Sequence, residues 1–95
     1  MATMALATVS VSSDSYPTDP QVSPGFEPDS ILVVNRSSTA ADIVYISFDG
    51  VTDNGILIPG LLPCLEYKEK RRKIWLRRDA GAATTSVNVM AGTVR

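Results

Sequence analysis

Asp42-Ile43-Val44-Tyr45-Ile46-Ser47-Phe48-Asp49-Gly50 is the stretch that decides the fold. Val44, Ile46 and Phe48 alternate with Ile43, Tyr45 and Ser47, the period of two expected where successive side chains point to opposite faces of a strand. The run stops at Asp49-Gly50, and Asn54-Gly55 follows shortly; both dipeptides tolerate positive φ and so make turns. Ile56-Leu57-Ile58 comes next and ends at Pro59-Gly60. The same pattern continues in both directions. Upstream, Ile31-Leu32-Val33-Val34 is a compact apolar run closed by Asn35. Downstream lie a strand around 65–68, a charged turn, a strand over 73–78, the turn Asp79-Ala80-Gly81, and a strand over 84–91 with Val87, Val89 and Ala91 on one face. Six or seven short strands spaced by about 8–12 residues predict an all-β chain, a small antiparallel β-sandwich that is jelly-roll-like. Its predicted core is Val44, Ile46, Phe48, Ile74, Leu76, Val87 and Val89. Helical periodicity is weak throughout.

Residues 1–29 read differently from the 30–95 sandwich. Thr8-Val9-Ser10-Val11-Ser12 alternates and predicts an edge strand. Pro17, Pro20, Pro24 and Pro28 then fall at three- or four-residue intervals, and each fixes φ and removes a donor, so 14–29 forms neither helix nor central strand. This is a proline-rich, extended N-terminal arm. Its four charges, Asp14, Asp19, Glu27 and Asp29, are all acidic. Fully extended it spans up to about 50 Å, more than the width of the domain. The expectation is therefore that it crosses onto a neighbouring subunit, with Tyr16, Val22 and Phe26 filling apolar pockets there.

Ninety-five residues allow one domain with a modest core. With 44% apolar and 20% charged residues the composition is globular. Cys64 is the single cysteine, so no internal disulfide forms, and the chain has no histidine. A core this small with neither disulfide nor metal predicts support from association, as a homo-oligomer (dimer or trimer) or on a host surface. The net charge of −1 points away from nucleic acid. No apolar run approaches the roughly 18 residues of a membrane span, and residues 1–13 lack the basic start of a signal peptide. A soluble protein made in a reducing cytoplasm is the expectation.

No catalytic set emerges. Cys64 and the serines have no histidine to activate them. Cys64, after Leu61-Leu62-Pro63, reads as a small buried hydrophobe. Gly50 and Gly55 have the glycine spacing of a phosphate loop, but Ile56 and Leu57 stand where Lys and Ser or Thr are required. The same loop fails as a calcium site because Val51 takes a ligand position and no bidentate Glu follows. No enzyme activity, cofactor or metal is expected, and 49–55 reads as a plain hairpin connection.

One charge cluster stands out. From Glu66 to Arg78, seven Lys and Arg oppose two Glu, a net of +5. If 73–78 is a strand, Lys73, Trp75 and Arg77 share one face and Ile74, Leu76 and Arg78 the other. A lone Trp between two cations suits a partner-binding hot spot, and Arg71 and Arg72 in the adjoining turn would add to it. A solvated basic hairpin that discourages edge-to-edge pairing is the simpler alternative.

The segments 31–38 (Ile-Leu-Val-Val-Asn-Arg-Ser-Ser), 43–50, 54–60, 74–77 and 86–91 together resemble a family of small β-sandwich virion proteins of tailed bacteriophages. That resemblance covers about residues 30–91 and implies a structural role in the virion, foremost as a capsid decoration (cement) protein on the major capsid protein or another virion protein. A head–tail neck or tail component is the near alternative. A receptor- or carbohydrate-binding module stacking its ligand on Trp75, Tyr45 and Tyr67 is the more distant one. The acidic arm and the basic 66–78 hairpin depart from the family pattern.

Overall fold

The structure is a computed structural model that describes residues 4–23, 26, 28–68 and 73–93. It contains seven strands: β1 (Met4–Val11), β2 (Ser30–Asn35), β3 (Val44–Ser47), β4 (Gly55–Leu57), β5 (Cys64–Tyr67), β6 (Trp75–Arg78) and β7 (Thr85–Gly92). They form two antiparallel sheets, one ordered β1-β7-β2-β5 and the other β4-β3-β6. The expected all-β sandwich is what the chain forms. Its strand order is that of a jelly roll whose second strand has shrunk to one bridge. That strand's place beside β6 is taken by Val22, which bridges antiparallel to Ile74.

Inward positions alternate along each strand, as the pleat requires. Val11, Ile31, Val33, Val87, Val89 and Ala91 from the first sheet meet Val44, Ile46, Leu57, Ile74 and Leu76 from the second, all buried. Six of the seven residues expected in the core are there. Phe48 is half-buried at its rim, edge-on to Tyr67 with ring centroids 4.9 Å apart. The side where β4 and β5 meet closes through a close approach at Gly55. A Cβ on Gly55 would run into the Tyr67 hydroxyl and come within 3.1 Å of Leu65.

The described residues of the arm lie along their own domain, which corrects the expectation from its length. Ile74 and Val22 exchange both main-chain hydrogen bonds, at 2.9 and 3.2 Å. The Arg78 amide donates to the Ser13 carbonyl at 2.9 Å. Between them the Gln21 carboxamide bonds both main-chain groups of Leu76. Val22 joins the core, Phe26 packs against it, and Pro28 is buried. The apolar pockets these side chains fill thus belong to their own domain. The physical reason is the exposed edge of β6, whose unpaired N–H and C=O groups are satisfied by the nearest chain able to lie along it.

Candidate protein-binding face

The two sheets treat their outer faces in opposite ways. On the second sheet, Tyr45 lies opposite Arg77 and Ser47 opposite Trp75, so these four side chains point away from the core. The 48–54 connection then folds back over them. Ser47 is completely buried, its hydroxyl donating to Asp49 and accepting from the amide of Gly50 at 2.9 Å. The Asp49 carboxylate accepts from the amides of Val51 (2.8 Å) and Thr52 (2.7 Å). These contacts hold its carboxyl well below the usual carboxylate range. A carboxylate committed to backbone amides is a loop-builder.

Gly50, at φ +80°, rests on the Trp75 indole, where a Cβ would stand 3.0 Å from the ring. Trp75 is only 9% exposed, and its Nε1 is buried with no hydrogen-bond partner among the described residues. Alternation therefore assigned Trp75 to the correct face but could not show that a loop covers it. The expected solvent-facing hot spot at Trp75 is corrected accordingly. The Ser47-x-Asp49-Gly50 pattern, with a small residue in a left-handed turn, was the available signal.

Arg77 is half-buried and engaged on several sides. Its guanidinium stands 4.1 Å from the Tyr45 ring centroid and 5.5 Å from that of Tyr16. It donates to both Asp53 oxygens, at 2.8 and 3.2 Å, and to the Asp14 carbonyl at 3.3 Å. The Tyr16 hydroxyl donates to Asp53 and that of Tyr45 to Asp79. Partial burial, with the neighbouring carboxylate, pushes the Tyr16 phenol up, while Arg77 draws the Asp53 carboxyl down. In this cluster Asp53, from the hairpin loop, is the ionic partner of Arg77; the arm supplies the Tyr16 ring and the Asp14 carbonyl. Lys73 is exposed beside the arm. Arg71 and Arg72 lie outside the described residues. Tyr67, paired opposite buried Ile31, points into the sandwich. Trp75, Tyr45 and Tyr67 therefore share no common stacking surface.

The outer face of the first sheet is the reverse. Register places Leu6, Met90, Leu32 and Glu66 in one row across the four strands and Thr8, Asn88, Val34 and Cys64 in the next, with Met4 at the end of β1. Met4 and Leu6 are 76% and 66% exposed, Cys64 is exposed, and Leu32, Val34 and Met90 are half-buried. Cys64 is thus not the buried hydrophobe expected of it. A depression of about 270 Å³ runs between Met4, Leu32, Glu66 and Met90. No loop among the described residues crosses these rows. The face is apolar at its centre, polar at Thr8, Ser10, Ser86 and Asn88, and carries one charged side chain, Glu66, within the two rows. An open apolar patch of this kind is the molecule's candidate protein-contact surface. Sequence reasoning overlooked it, although β2 held the clue: four consecutive apolar residues, Ile31–Val34, describe a strand apolar on both faces.

Neither a protein-family model nor a curated protein matches the chain.

Proposed function

We propose that this chain is a non-enzymatic structural protein of a tailed-phage virion. In this reading it is a decoration protein that docks on the head through the outer face of the β1-β7-β2-β5 sheet. The observation that carries the docking mode is the uncovered apolar centre of the two rows Leu6-Met90-Leu32-Glu66 and Thr8-Asn88-Val34-Cys64, set against a second sheet whose outward Trp75 is already covered by the 48–54 connection. The virion setting rests on the resemblance of residues 30–91 to small phage sandwich proteins. The partner is the major capsid protein, with another virion protein as the alternative outcome of the test.

Apolar burial rather than ion pairing then supplies the affinity, so attachment should be nearly insensitive to salt. Met90→Lys and Leu32→Glu place charges at the centre of the face without touching the core. The test is retention of each variant on particles lacking the native protein. The expected result is loss of retention by both variants at unchanged circular dichroism, with wild-type retention equal at low and high salt. Undiminished binding of the two variants overturns the docking face. Attachment of the wild type at the neck or tail in place of the head overturns the decoration role.

A further inference from the structure

A sandwich of two open sheets has four edges, and three of them here are guarded. The β6 edge is sealed by the arm. The β4 and β5 edges meet where Tyr67 and Leu65 lie over Gly55, and the tight 58–62 turn joins them, Ile58 and Leu62 exchanging two hydrogen bonds of 2.8 Å. Strand β5 also follows Pro63 and carries Glu66, with Lys68 next to it. Edge β1 has none of these devices. Its eight residues, Met-Ala-Leu-Ala-Thr-Val-Ser-Val, include no charge and no proline. Among the described residues, its main chain bonds only to β7. A long, neutral, flat edge is a template for another strand.

We infer that β1 pairs antiparallel with β1 of a second copy of this chain, making one continuous eight-stranded sheet across a two-fold axis. The identity of the partner follows from the strand itself. A two-fold axis perpendicular to the sheet keeps inner face with inner face, which requires that odd residues meet odd and even meet even. The axis then falls at Ala7 or Thr8, the two positions that pair the most residues of β1. With the axis at Ala7, Ala5 faces Val9 and Ala7 faces its own counterpart; with it at Thr8, Ala5 faces Val11 and Ala7 faces Val9, in both cases with no like charges to repel. The inner side of this edge has room for the incoming side chains. A groove of about 210 Å³ lies open there between Ala5, Ala7, Val89 and arm residues Gln21, Val22 and Ser23. On the outer side Leu6 lies opposite Thr8 of the other copy when the axis is at Ala7 and opposite Ser10 when it is at Thr8, and in both cases the two outer faces become continuous.

Sedimentation velocity on the purified full chain, without particles, tests this independently of the docking reading. The wild type is expected to be a dimer that dissociates on dilution. Thr8 is exposed and close to the axis, so Thr8→Lys and Thr8→Glu should each weaken association several-fold while keeping the circular dichroism of the wild type. Mixed in equal amounts, the two variants should re-form a dimer. A monomeric wild type at high tens of micromolar overturns the proposal, as does either folded variant keeping the full dimer or a mixture that fails to re-pair. Amide exchange of the wild type needs no variant: protection along β1 should fall on dilution, and protection independent of concentration overturns the pairing.

Discussion

The side-chain amide of Gln21 bonds to Leu76 as a strand residue would, Nε2 donating to the Leu76 carbonyl at 2.6 Å and Oε1 accepting from the Leu76 amide at 2.9 Å. The two flanking contacts, Val22 with Ile74 and Ser13 with Arg78, are main-chain bonds. One carboxamide thus fills the gap in a proline-interrupted strand. Gln21→Ala leaves the main-chain N–H and C=O of buried Leu76 without their partner and should cost about 1–3 kcal/mol. A shift of the urea midpoint at unchanged slope measures it, and an unmoved midpoint refutes the role.

Gly55 makes room for Tyr67. Gly55→Ala drives a methyl into the Tyr67 hydroxyl and should destabilise the fold by about 1–3 kcal/mol. Tyr67→Phe removes the nearest obstructing atom, so the double variant should lose less than the sum of the single losses. A double-mutant cycle by thermal unfolding reads the coupling. Strict additivity would mean that the chain relieves the clash elsewhere.

Trp75 is buried under Gly50, and Trp75→Ala should therefore behave as a core truncation, costing about 3–5 kcal/mol. The indole should emit at short wavelength in the native protein and shift to the red on unfolding. Red-shifted native emission, or a stability loss well below 1 kcal/mol, would restore Trp75 to the surface.

Asp49 links stability to acid. The amides of Thr52 and Val51, with the Ser47 hydroxyl, favour its charged form in the folded chain, so its folded pKa lies below its unfolded one. The unfolded chain binds the proton more readily. The contribution is therefore complete above the unfolded value of about 3.9 and is lost as pH falls from there toward the lower folded value. Asp49→Asn should flatten this part of the acid limb of urea midpoints, and an acid limb parallel to that of the wild type would remove Asp49 as its source.

The order of residues by itself determined most of the strands and which way their side chains point, although of β1 (Met4–Val11) it marked only the half from Thr8 onward. Val44 and Ile46, Ile74 and Leu76, Val87 and Val89 declare an inner face because the pleat alternates every residue, and Asp49-Gly50 and Pro59-Gly60 end their strands through local backbone preference. These are short-range effects, legible within a few residues. The candidate face was only half legible. Apolar residues on both sides of β2 were visible in the sequence, but their alignment with Leu6 and Met90 requires β7 to sit between β1 and β2, a pairing between segments more than fifty residues apart. The place of the arm was likewise a tertiary decision. Prolines barred a strand over 14–29 and their reach suggested a neighbour, yet the open edge of β6 drew Gln21 and Val22 back onto it. Trp75 shows the same division: alternation chose its face, and the loop that returns over it chose its burial. Strand identity is set by neighbours in sequence, whereas exposure depends on which distant groups remain unsatisfied once the sheets have formed, and only the folded chain determines that.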